Sequence, residues 1–267
     1  MAKIIAITNQ KGGVGKTTTS VNLSSAMALT KRRVLLIDMD PQGNATMGSG
    51  VNKNEQQHTV YDVLVGNIAI SDATTFSYEQ QYSVLAANSD LTAAEVELID
   101  AENAQFRLSN ALDVIKDQFD YIFIDCPPSL NMLTINALVA CESVLIPMQC
   151  EYYALEGLSD LVNTINSLQE TLNPRLQITG ILRTMYDPRM SLTGAVSEQL
   201  KEFFGERLYR TCIPRNVRLA EAPSYGVPVL SYDKQSKGAL SYLALAGEII
   251  RRESKAQETP VAEVATE

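Results

Sequence analysis

Tryptophan is absent from the 267 residues, and histidine occurs once, as His58. The four cysteines, Cys126, Cys141, Cys150 and Cys212, form no C-x-x-C pair. A zinc site or a disulfide framework is therefore not expected, and the thiols read as reduced, mostly buried small hydrophobes. No apolar run approaches the roughly 18 residues that a membrane-spanning helix requires. The opening apolar run is short and is soon interrupted by Asn9 and Gln10, so it does not read as a signal peptide. A cytoplasmic location is the expectation.

Enough apolar material remains for a large core, since hydrophobic residues make up 45% of the chain and charged residues 20%. The net charge of −9 argues at first against a polyanionic partner, but its distribution is uneven. Residues 1–53 carry seven basic and two acidic side chains, residues 54–174 two basic and 18 acidic, and residues 175–255 thirteen basic and eight acidic. A local basic face can bind a polyanion whatever the total.

Short apolar runs alternate with amphipathic stretches. Strands are expected at residues 3–8 (KIIAIT), 33–37 (RVLLI), 83–86, 121–124 (YIFI), 144–146, 178–182 and 207–213. Helical spacing covers residues 16–29, 106–116, 155–172, 192–204 and 239–251, with a short helix at 59–64. Strands without polar alternation, separated by helices, predict an α/β fold: a doubly wound, mostly parallel sheet flanked by helices. Residues 1–253 read as one domain. Residues 254–267 (SKAQETPVAEVATE) are polar, net acidic and without aromatics, and read as a disordered tail.

Directly after the first strand comes QKGGVGKTTT, residues 10–19, followed by a helix. Glycines let a backbone curl with positive φ and bring N–H groups up to an anion, and a helix N-terminus aims its positive end at the same point. Lys16 is placed to reach the β- and γ-phosphates of a nucleotide, Thr17 to coordinate Mg²⁺ and Thr18 to contact the α-phosphate. The pattern G-x-x-x-x-G-K-[ST] would require glycine where Gln10 stands; instead a second lysine, Lys11, opens the loop. This resembles the deviant Walker A form of P-loop NTPases.

Two further strands end in carboxylates. Asp38 and Asp40 follow the second strand in DMDPQGNAT, at the sheet end where open α/β folds bind ligands. One such carboxylate can orient an attacking water and another can support the metal; Asp40 is assigned the first role and Asp38 the second. Asp125 follows YIFI and precedes Cys126, Pro127 and Pro128, which fits a carboxylate that holds Mg²⁺ through water.

KGGVGKTTT, DMDPQGNAT, IDCPPS and IPRNVRLAEAPSYGVPV (residues 213–229) together resemble the ParA/Soj family of partition ATPases, over nearly all of residues 1–253. The resemblance implies a homodimer formed with ATP and Mg²⁺ and non-specific binding of double-stranded DNA. It also implies slow ATP hydrolysis stimulated by a ParB-type centromere-binding partner, which drives chromosome or plasmid segregation at the nucleoid. It assigns Lys11, Gly12, Gly13, Val14, Gly15, Lys16, Thr17 and Thr18 to the nucleotide, and Lys11 to the nucleotide of the partner subunit. Pro214 and Asn216 fall in the segment that borders adenine. No helix-turn-helix is expected ahead of the core. Among Arg183, Arg189, Arg215 and Arg218, which lie in the basic portion and are expected to flank loops, Arg189 and Arg218 are the expected DNA contacts.

Two other readings share the loop. A MinD-like membrane-associated ATPase would need a basic amphipathic C-terminal helix, and here the last helix runs into an acidic tail. A nitrogenase-iron-protein-like electron carrier would need cysteines that meet between subunits.

Overall fold

A computed structural model of the chain describes residues 2–99, 101–152 and 154–258. Among the described residues eight strands form one sheet: β1 (Lys3–Ile7), β2 (Val34–Asp38), β3 (Thr74–Ser77), β4 (Tyr82–Leu85), β5 (Tyr121–Asp125), β6 (Ser143–Gln149), β7 (Gln177–Tyr186) and β8 (Leu208–Pro214). Their order is β3-β4-β2-β5-β1-β6-β7-β8. All pairings are parallel except β3 with β4. Carboxyl ends therefore gather along one side of the sheet, with β1, β2 and β5 adjacent at its centre.

The helices are α1 (Lys16–Leu29), α2 (Asn44–Gly48), α3 (Val60–Val65), α4 (Ile70–Ala73), α5 (Leu91–Glu97) and α6 (Arg107–Asp113). They continue with α7 (Met132–Ala140), α8 (Ala154–Thr171), α9 (Ser191–Phe204), α10 (Val217–Glu221), α11 (Val229–Tyr232) and α12 (Lys237–Glu258). Successive strand side chains point to opposite faces. Ala6, Ile37, Ile122 and Ile146 accordingly pack with α3 and α5–α9. Ile7, Leu36, Phe123 and Leu145 pack on the other face with α1 and α10–α12. Covering both faces is what makes β2 and β5 buried along their whole length.

The expected strands and helices all appear, with ends shifted by a few residues. The helix expected over residues 106–116 is narrower, because Ala104–Phe106 and Lys116–Gln118 are separate 3₁₀ turns around α6. The short helix expected at 59–64 is α3, capped by Thr59 and Asp62 in a reciprocal capping box. One boundary needs correction: α12 continues through Glu258, past residue 254 where the disordered tail was expected to start. Just before that point α12 is held to the sheet, the Tyr121 hydroxyl donating to Glu253 and the Leu208 carbonyl accepting from Arg252. The rest of that tail, residues 259–267, lies outside the described residues.

Candidate phosphate-binding site

Between β1 and α1 the chain turns through Gly13 at φ 73° and Gly15 at φ 88°, conformations open to glycine and strained for other residues. A methyl group built on Gly12 or Gly13 would meet nothing within 4 Å, so the backbone presents a bare concave rim. Gly15 caps α1 in the left-handed region, with no side-chain cap among the described residues and no acidic residue in the first turn. The helix therefore offers its amide groups and its positive end to the concavity.

Lys16 is 7% exposed, and its ammonium donates to the Lys11 carbonyl across the loop at 3.2 Å. Burial pulls the Lys16 ammonium below its ordinary range; the charge of Asp125 opposes this, with smaller contributions from Cys126 and Asp40. Thr17 Oγ1 donates to Asp125 Oδ2 at 2.8 Å, and Ser20 Oγ donates to Asp125 Oδ1 at 2.7 Å. Asp125 and Asp38 are directly opposite each other in the β2–β5 register, and both are wholly buried. Burial pushes Asp125 up, and the neighbouring charge of Asp38 adds to it against the two hydroxyls. Two buried carboxylates side by side favour a cation between or beside them.

Asp38 is occupied differently from Asp125. Its Oδ2 accepts from the Thr46 amide and hydroxyl, each at 2.8 Å, and its Oδ1 accepts from the Asp40 amide at 3.1 Å. Asp38 thus fixes the turn that carries Asp40, while Thr17 and Asp125 face each other. Asp40 Oδ1 accepts from the Gln42 amide at 3.0 Å, and Asp40 lies close enough to Lys16 to act on its charge. Gly43 closes the turn at φ 63°; a Cβ there would stand 2.6 Å from the Ala87 carbonyl oxygen.

Lys11 stands at the rim. Its ammonium pairs with Glu151 at 2.6 Å, with the two side chains 46% and 51% exposed. Asn9 steadies the loop's start, accepting from the Lys11 amide at 2.9 Å and donating to the Pro147 carbonyl at 2.8 Å. Pro214 ends β8, the third strand out from β1, on the loop's side of the sheet, and Asn216 follows it to cap α10, accepting from the Arg218 amide at 3.1 Å.

The arginines divide. Arg183 lies within β7 rather than in a loop, and its guanidinium donates to Ser197 Oγ and to the Tyr209 and Arg210 carbonyls. Arg189 is 87% exposed and paired with Asp187, whose carboxyl it holds down at about 2. Arg218 is 46% exposed and reaches Glu221 at 2.8 Å and Asp233 at 3.3 Å. Arg215 is exposed.

Glycine amides, a buried lysine, a threonine hydroxyl and a carboxylate converge on one concavity, and this donor set fits a magnesium–nucleotide. Sequence reasoning missed Asn9, Ser20, Thr46, Gln149, Glu151 and Thr184 around it. For Asn9 and Gln149 a signal existed: each is a polar residue at the end of an apolar strand, as Asp38 and Asp125 are.

Residues 2–178 match the AAA domain family. The chain is 53% identical over 249 residues to the sporulation initiation inhibitor protein Soj of Bacillus subtilis, covering 93% of this chain and 98% of Soj. It is 48% identical over 254 residues to the chromosome partitioning protein ParA of Myxococcus xanthus, covering 95% and 90%. Among solved structures, cobyrinic acid a,c-diamide synthase of Mycobacterium smegmatis, with bound ATP analogue and magnesium, superposes with a TM-score of 0.84 at 33% identity, covering 98% and 100%. The cell division ATPase MinD of Pyrococcus furiosus gives a TM-score of 0.78 at 27% identity, covering 94% and 100%. Matches of this extent, over a sheet whose central strands end in the loop lysines and paired aspartates, place the chain in the ParA/Soj family of chromosome-partitioning ATPases.

Proposed function

We propose that the chain is an ATP-operated dimerisation switch that binds double-stranded DNA without sequence preference in its ATP state and releases it after hydrolysis stimulated by a ParB-type partner. Supporting this most directly is the placement of the two loop lysines. Lys16 is buried in the concavity, whereas Lys11 is exposed at its rim and paired with an equally exposed glutamate. One lysine suffices for the phosphates of its own chain. The other is free to neutralise charge on the nucleotide of a second copy, as an arginine finger does.

In this reading the amides of residues 12–18 and Lys16 hold the phosphates. Thr17 and Asp125 hold Mg²⁺, which supplies charge neutralisation at the transferring phosphoryl group. Asp40 orients the attacking water, and Asp38 keeps the Asp40 turn in place through the Asp40 amide and Thr46. Arg189 and Arg218 contact DNA phosphates once they exchange their in-chain carboxylates for them.

A membrane-associated reading finds less support. The apolar residues Ala239, Tyr242, Leu245, Ala246 and Ile249 of α12 are spent in the core. No helix among the described residues is long and apolar enough to cross a membrane. Pelleting with anionic liposomes in ATP would favour that reading instead.

DNA binding measured with ATP, ADP and no nucleotide tests the proposal. Tight, sequence-independent, salt-sensitive binding is expected with ATP alone. Lys16→Ala is expected to lose both nucleotide and DNA binding. Equal DNA affinity in all three states, or normal ATP affinity in Lys16→Ala, would refute it.

A further inference from the structure

We infer that Thr184 and Gln149 are positioning residues for nucleotide binding: they fix the direction of two successive peptides of the phosphate loop, so that the Val14 and Gly15 amides face the anion. This inference rests on residues 11–18 being the phosphate site.

A trans peptide points its carbonyl and its N–H in opposite directions. The carbonyl of Gly13 shares a peptide with the N–H of Val14, and the carbonyl of Val14 shares one with the N–H of Gly15. Whatever holds those two carbonyls away from the concavity holds the two N–H groups toward it. Thr184 Oγ1 donates to the Val14 carbonyl at 2.8 Å, and Gln149 Nε2 donates to the Gly13 carbonyl at 3.1 Å.

The loop needs such bracing because of the glycines that form it. Gly13 at φ 73° and Gly15 at φ 88° stand on one side of each of these peptides. Turning over the Val14–Gly15 peptide changes the φ of Gly15. Glycine tolerates either sign of φ, so that peptide can invert at little steric penalty. Inverting the Gly13–Val14 peptide would change the φ of Val14, which resists it. A turned peptide would present a carbonyl oxygen to the phosphate in place of an amide. Gly15, which lets the nest form, also leaves the Val14–Gly15 peptide free to invert. The Thr184 hydroxyl on the far side removes that freedom, and Gln149 adds to the hold on the preceding peptide.

The braces come from a rigid place. Gln149 and Thr184 are directly opposed in the β6–β7 register, at the carboxyl end of the sheet, and Thr184 is 3% exposed. The next residue, Met185, stands at φ 47°, a left-handed backbone that is uncommon outside glycine. Its sulfur accepts from the same Gln149 amide that reaches Gly13. Strain of this kind persists where the surroundings over-determine it, and here it lies against the loop.

Equilibrium binding of a fluorescent ATP analogue with Mg²⁺ tests the inference. Thr184→Val keeps the shape and removes the donor; Thr184→Ser keeps the donor. Affinity is expected to fall about ten-fold in Thr184→Val, the effect of roughly one lost hydrogen bond to a loop peptide, and to stay within about two-fold of the parent in Thr184→Ser. Gln149→Met, at a half-buried site, serves if Thr184→Val does not fold, and is expected to weaken binding about three-fold or more. In folded variants the Val14 and Gly15 amide resonances of the nucleotide-free protein should move in Thr184→Val and not in Thr184→Ser, which a merely stabilising contact would not produce. Parent-like affinity in both Thr184→Val and Gln149→Met, with Lys16→Ala unable to bind, would overturn the inference alone. Parent-like binding by Lys16→Ala would overturn the phosphate-site reading beneath it.

Discussion

Lys16 and Lys11 are five residues apart on one loop, joined by a hydrogen bond, yet they sit in different media. Lys16 is nearly buried and loses hydration, which a phosphate would return to it. Lys11 stays in water, and an exposed ion pair such as Lys11–Glu151 contributes only about 0–1 kcal/mol. A pair that weak can be exchanged for a triphosphate without a large barrier, but it still competes with it. Glu151→Gln is therefore expected to release Lys11 and lower the ATP concentration at half-maximal dimerisation by about two- to five-fold, read by light scattering. An unchanged or raised midpoint would show that Glu151 does not hold Lys11 back. The meeting of Lys16, Thr17 and Asp125 at one site was legible because each is placed by local pattern: an apolar strand, a glycine loop, a helix start. Thr184 and Glu151 were not, since they meet the loop from 170 and 140 positions away in the chain, and no local spacing encodes such contacts.

Strands with two buried faces announced themselves, and one edge strand did not. β1, β2 and β5 are continuous apolar runs because helices cover the sheet on both sides. β3 (Thr74–Ser77) was missed: it is an edge strand, antiparallel to β4, with three of its four residues short hydroxyl side chains. α7 was missed for the opposite reason, being apolar nearly all round and so showing no helical period. The turn between β2 and α2 is where local geometry is least forgiving. Gly43 caps α2 in the left-handed region, with the Ala87 carbonyl against the place a Cβ would take. Gly43→Ala is expected to destabilise by about 1–2 kcal/mol from the backbone alone, and by more from the overlap. Thermal melts should drop by at least about 3 °C, since each kcal/mol moves a chain of roughly this size by about 2–4 °C. Because this turn carries Asp40, hydrolysis should fall further than nucleotide affinity. A melting temperature like the parent's would show that the turn has room that the geometry denies.

At the scale of the whole molecule, the uneven charge found along the chain becomes an uneven distribution in space. The acidic segment contributes β3 and β4 at one edge of the sheet, and the basic segment contributes β7 and β8 at the other. Helices α10–α12 pack over one face with α1, and α11 reaches the acidic edge through Ser231 and Gln80. Arg189 and Arg215 follow β7 and β8 at the basic edge and Arg218 lies on α10, although Arg189 and Arg218 are paired with carboxylates of their own chain. A polyanion approaching that edge would meet positive charge that the net value of −9 conceals. The loop side of the sheet carries the nucleotide chemistry and its exposed rim lysine, so coupling between nucleotide and DNA would pass through assembly of two chains rather than along one. Asp40→Ala isolates that step, because it should retain nucleotide affinity while turnover stops. Sedimentation of Asp40→Ala with saturating ATP and Mg²⁺ is therefore the most direct test. A dimer with ATP, and a monomer with ADP, with no nucleotide, or when Lys11→Ala is added, is the expected result. A monomer under every one of these conditions would contradict the switch.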